Sequence, residues 1–173
     1  MTINEKHCFR SKWIVLRQVR DLYDRLGGRP TIDHVHKVFY DKLYSHNWIG
    51  KFFAGISREL IEAQPSDFMG QMFGGPRIYG GRMPAEAHLH MYMTDELFDL
   101  RHEMLRQSLT EAGVGPAVAA EWLSMDKAFR RAVVKKSIGD RQKRFTTDEV
   151  LNFPKPDNEV VAGSFVPPLK RAS

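Results

Sequence analysis

The stretch that most limits what this chain can become runs from Gly74 to Phe98, GGPRIYGGRMPAEAHLHMYMTDELF. Its opening Gly-Gly-Pro ends whatever helix precedes it, because glycine weakens the helix and proline has no amide to continue the ladder. A glycine-rich loop follows. Pro84 suits the first turn of a new helix, where an amide would lack a partner anyway. His88 comes four residues later, and a histidine on a short helix behind a forced loop points inward from a fixed place.

Spacing predicts the elements around that stretch. Apolar residues from Ser11 onward recur at Trp13, Leu16, Val19, Tyr23 and Leu26, the three-to-four period of an amphipathic helix, which Gly27-Gly28 ends. Pro30-Thr31 starts a second helix through Ile32, Val35, Val38, Phe39 and Leu43, with Tyr40 at the edge of its apolar face. Trp48–Phe53 reads as a single turn. Ser57 is placed to cap a third helix ending near Phe73, but Pro65 interrupts its pattern, which predicts a kink or a start at Pro65. The His88 helix should run about two turns. Thr94 caps the next, with Asp95 and Glu96 at its positive end, and that helix stops near Gly113. Pro116 opens a last long helix through Trp122, Phe129 and Val133, and Thr146–Glu149 caps a short turn. Strands, repeats and low-complexity tracts are absent from this pattern, so the expected class is all-α.

The expected organisation is a flexible terminus at 1–10, a helical domain over 11–153, and a proline-rich disordered tail over 154–173. At 42% apolar residues the chain can build an ordinary core. Its net charge of +5 is spread among acids, and the densest basic clusters, Arg130–Lys136 and Arg141–Arg144, fit a solvated helix and its exit. No base-reading module accompanies them, so nucleic acid is not an expected partner. Cys8 is the single cysteine, which fits a reducing compartment and predicts a cytoplasmic protein. The apolar run Trp13–Leu16 is too short for a membrane span.

Seven histidines invite a metal reading. The pairs His34/His36 and His88/His90 have one residue between their members, which on a helix turns the rings about 200° apart, so neither pair chelates from one face. Phosphate-binding glycine loops and a G-x-S-x-G nucleophile elbow are also missing. A different combination stands out. His88 supplies one imidazole, Phe53, Phe68 and Phe98 supply flat apolar surfaces from separate segments, and Tyr40 supplies a hydroxyl. A flat apolar iron cofactor needs those parts: one axial nitrogen, aromatic walls and a polar group opposite.

These residues resemble the truncated haemoglobins, small bacterial globins with a two-over-two helical fold, and among them group I. The resemblance rests on DLYDRLGG (Asp21–Gly28), VFYDKL with FF (Val38–Leu43, Phe52-Phe53), FGGPRIYGGRM (Phe73–Met83) and AHLHMYMTDELFDL (Ala87–Leu100), and covers Tyr23–Val134. It implies haem b, with His88 as the proximal iron ligand and Tyr40 as the distal tyrosine that hydrogen-bonds bound oxygen. Phe53 would stack on the haem, Phe68 and Phe98 would form its walls, and Tyr79 would lie near a propionate. On the distal helix the chain departs from the pattern. The position where the family often has glutamine falls on Pro65, with Gln64 one residue earlier, and Ile61 replaces a polar gate residue.

The function expected from this resemblance is reversible binding of oxygen, carbon monoxide or nitric oxide at a five-coordinate, His-ligated iron, in a monomer or weak homodimer. Nitric oxide dioxygenase or peroxidase chemistry, fed by an external electron donor protein, is the enzyme alternative. A haem-based sensor is the third.

Overall fold

The computed structural model describes residues 22–157. The expected loose terminus, the part of the first helix from Ser11 to residue 21, and the tail from residue 158 lie outside the described residues.

Residues 22–25 are helical, and Leu22 and Leu26 are buried. Gly27 and Gly28 take φ of 87° and 72°, and the Gly28 amide closes back on the Tyr23 carbonyl at 2.9 Å, a left-handed helix ending. Helix α1, Arg29–Ser45, then starts with proline in its first turn and buries Ile32, Val35, His36, Phe39, Tyr40 and Leu43 on one stripe. A 3-10 turn, Ile49–Phe53, forms the corner beyond it.

Helix α2 spans Arg58–Met72 with Pro65 inside it, so the helix starts two turns earlier than a Pro65 start would allow. Pro65 has no amide for the Ile61 carbonyl, and burial of Ser66, Phe68 and Met69 immediately after it offsets the missing bond. Ser57 precedes the helix but does not cap it; its hydroxyl donates to the Glu59 carboxylate at 2.7 Å. Past Met72 the chain turns at Gly74, φ 97°. A Cβ on Gly75 would lie 2.5 Å from the Tyr23 ring and 2.9 Å from the Gly70 carbonyl oxygen, so only glycine fits. The Tyr23 amide donates to the Phe73 carbonyl at 3.1 Å, and the Tyr23 hydroxyl accepts from the Arg29 amide at 3.1 Å. One tyrosine thereby ties together the ends of three segments.

Helix α3, Pro84–Ala87, is a single turn with His88 at its C-terminal end, shorter than the two turns expected. Thr94 caps α4, Asp95–Glu111, by accepting from the Leu97 amide at 3.2 Å. After Gly113, φ 73°, come α5, Pro116–Ala128, and α6, Arg130–Val133. The expected single last helix is therefore two. The break sits at Phe129, whose amide bonds three residues back to Asp126 (3.0 Å), and Arg130 leaves the helix line to pair with Asp95 and Asp99 on α4. A 3-10 turn at Ile138–Asp140 follows, and 146–147 form a bare turn.

The packing joins two helix pairs. Helix α1 lies against α2 and α4, and α4 lies against α5. Among the described residues the only β pairing is an isolated bridge, Met91 to Leu151. It belongs to a returning segment that also bonds Gln142 to Leu89 and Leu151 to His90, each at 2.9 Å. Trp48 Nε1 then donates to the Phe153 carbonyl at 2.8 Å, and the Phe153 ring meets Phe52 at 4.9 Å. No helix among the described residues is long and apolar enough to cross a membrane.

Candidate functional site

Between the helix pairs lies a cavity of about 290 Å³. All eight residues singled out from the sequence line it: His88, Tyr40, Ile61, Gln64, Phe53, Phe68, Tyr79 and Phe98. They come from six separate stretches of chain.

His88 reaches the cavity from the end of α3. Its Nδ1 donates to the Pro84 carbonyl at 2.7 Å, one turn back on the same short helix. That bond orients the ring and leaves Nε2 carrying its lone pair, with no hydrogen bond to the described residues. Burial holds its pKa down to about 4, against a partial opposing effect of the Pro84 bond, so the ring is neutral at physiological pH. The surface His88 retains faces the cavity. A neutral imidazole with a fixed tautomer and a free nitrogen is the donor a haem iron requires.

Tyr40 stands on α1 with 7% of its surface exposed. Its ring meets Phe39 at 5.3 Å and Phe53 at 6.0 Å, both edge-on, and its hydroxyl makes no hydrogen bond to the described residues. Burial raises its pKa, which keeps the hydroxyl protonated. A buried hydroxyl facing a cavity without a protein partner is suited to a ligand that enters. Phe68 packs between Tyr79 (5.1 Å) and Phe129 (5.5 Å) to form an aromatic wall. The Tyr79 hydroxyl is committed to the Arg82 carbonyl at 2.5 Å, so its ring rather than its hydroxyl is offered to the cavity. Ile61 is half-buried, and Gln64 is exposed at the rim with no hydrogen bond to the described residues.

Sequence reading missed a polar quarter of the same cavity. His36 lies one turn before Tyr40 and shares a 2.8 Å hydrogen bond with buried Ser66. Burial, reinforced by the Arg101 charge, pulls its pKa down to about 3. Arg101, one turn past Phe98 on α4, donates through Nη1 to both oxygens of Asp126 at 2.7 and 2.8 Å. His102 Nδ1 donates to Asp126 Oδ2 at 2.8 Å. The signal for these residues was helical spacing: His36 with Tyr40 and Trp122 with Asp126 at i, i+4, and Phe98 with Arg101 at i, i+3.

An aromatic-walled cavity with one free imidazole nitrogen and one free hydroxyl fits a flat iron macrocycle. The family profile for bacterial-like globins matches residues 21–135. The group 1 truncated haemoglobin of Tetrahymena thermophila is 29% identical over 106 residues, covering 61% of this chain and 88% of that protein. Its counterpart in Synechocystis is 33% identical over 104 residues, covering 58% of this chain and 84% of that protein. Among solved structures, the Fe(III) truncated haemoglobin of Tetrahymena pyriformis superposes with a TM-score of 0.62 at 30% identity, over 66% of this chain and 98% of that one.

Proposed function

This chain belongs to the bacterial-like globin family, and on that footing we propose that it binds oxygen or another diatomic gas in its cavity, opposite His88. Its relatives are haem globins of the truncated kind and its cofactor is haem b. Bound there, haem would supply an iron able to bind a small ligand, and His88 would be the residue that holds it.

The chain's own residues divide the work. His88 Nε2 is the protein's donor to the iron, held by the Pro84 bond and kept unprotonated by burial. Phe53, Phe68 and Phe98 line the apolar faces and exclude water. Tyr40 donates its hydroxyl to a ligand that gains negative charge on binding. In a dry pocket such a charge-assisted bond contributes about 1.5–3 kcal/mol. Ile61 brings no polar group to the cavity, and exposed Gln64 stays at the mouth.

The observation that carries this reading is the pairing of two unsatisfied groups, the His88 nitrogen and the Tyr40 hydroxyl, on one cavity. Stopped-flow measurement of oxygen release tests it. Tyr40→Phe should release oxygen roughly ten- to a hundredfold faster than the wild type. An unchanged rate removes Tyr40 from the ligand's surroundings.

A further inference from the structure

The cavity wall holds a charge that a plain gas pocket does not need. Arg101 is permanently cationic, lines the cavity, and lies with its guanidinium carbon 5.2 Å from the Phe39 ring centre and 5.9 Å from that of Phe98. Its counter-charge, Asp126, is 2% exposed and also lines the cavity. Burial pushes the Asp126 carboxyl upward, but the Arg101 charge and the His102 and Arg101 hydrogen bonds outweigh it and hold the group below the usual carboxylate range.

The donors and acceptors of this pair are unequally used. Both Asp126 oxygens are engaged, Oδ1 by Arg101 and Oδ2 by Arg101 and His102. Arg101 commits only Nη1. Its Nε and Nη2 hydrogens make no hydrogen bond to the described residues. The pair thus leaves spare N–H donors on a residue that lines the cavity, while its acceptor oxygens are occupied. The Tyr40 hydroxyl adds one more unpartnered donor from α1. The Arg101 charge is also felt at Tyr40, His36 and His88, which places it centrally among the cavity's polar groups. Donors without acceptors in a cavity shielded from bulk water on most sides favour an occupant that brings negative charge and lone pairs.

We propose that Arg101, together with Tyr40, makes this cavity a site for small monovalent anions, with Asp126 and His102 positioning the guanidinium. The inference rests on the haem reading of the preceding subsection, because the anion would share the cavity with the cofactor. Arg101 selects among ligands here; it does not hold the haem.

The test compares charged and neutral ligands on haem-loaded protein. Azide and nitrite are titrated into the ferric form, and carbon monoxide into the ferrous form, each followed by the absorption spectrum. Arg101→Leu alone would strand the Asp126 charge, so the main variant is the double substitution Arg101→Met, Asp126→Leu. It should lose roughly ten- to a hundredfold in azide and nitrite affinity, with carbon monoxide affinity held within about threefold. Arg101→Lys should retain most of the anion affinity. Should the double variant fail to fold, Arg101→Gln, which still donates to Asp126, should show the same selective loss. Anion affinity that stays within about threefold of the wild type, or falls in step with carbon monoxide, overturns the assignment. A protein that binds carbon monoxide but shows no such selectivity defeats this inference alone, whereas one that takes up no haem defeats the reading beneath it as well.

Discussion

His36 is buried and His88 half-buried, and both are neutral near pH 7, yet only one was visible in the sequence. His88 follows a loop whose glycines and prolines dictate where it goes, so its direction is local information. His36 points at the cavity because α1 packs against α2 and brings Ser66 to its Nδ1, and that is a tertiary fact. Arg101 was hidden for the same reason, since an arginine on a helix ordinarily reads as surface. The two imidazoles make a pH prediction. Both have folded pKa values, about 3 and about 4, below the ordinary 6.5. The unfolded chain therefore takes up protons first as pH drops, so their contribution is intact above pH 6.5 and is lost as pH falls toward the folded values. Urea unfolding of the haem-free protein at pH 7, 6 and 5 should show stability falling with acid. His36→Gln should make that fall shallower by about 1.4 kcal/mol per pH unit. Parallel curves for the two proteins would contradict the buried, neutral assignment.

At the scale of elements, caps and breakers carried most of the legible information. Proline in the first turns of α1, α3 and α5, Thr94 before α4 and the glycines after residue 26 all act where the spacing put them. Pro65 is where the local rule was overridden, because its missing hydrogen bond is set against the burial of Ser66, Phe68 and Met69. Pro65→Ala should restore an amide to the Ile61 carbonyl and stabilise the protein by about 1–3 kcal/mol, read as a higher denaturant midpoint. Gly75 is the opposite case. A methyl group there meets the Tyr23 ring and the Gly70 carbonyl, so Gly75→Ala should destabilise by about 1–3 kcal/mol and loosen the loop that leads to His88. A neutral outcome in thermal melting would show that the Tyr23 contact yields freely.

On the scale of the whole molecule, the helix pairs around one cavity were readable from apolar periodicity and the family motifs. The path of the chain after α6 was not. Residues 142–153 contain no strong amphipathic pattern, and their docking depends on backbone bonds to 89–92, side-chain bonds from Trp48 to the Phe153 carbonyl and from Arg144 to the Ala87 carbonyl, and the Phe52–Phe153 ring contact, none of which leaves a periodic trace. This segment also lies beyond the part of the chain that matches the globin family profile. Phe153→Ala should remove the Phe52 contact and cost about 1–3 kcal/mol, measured by thermal melting of the haem-free protein. The central claim, that the His88 imidazole holds haem in this cavity, is tested most directly by the absorption spectrum of the haem-reconstituted protein beside that of His88→Ala. The account predicts a Soret band that shifts when carbon monoxide is added to the reduced wild type, and its near-complete loss in the variant after gel filtration. An equal Soret band in both proteins, or none in the wild type, would contradict it.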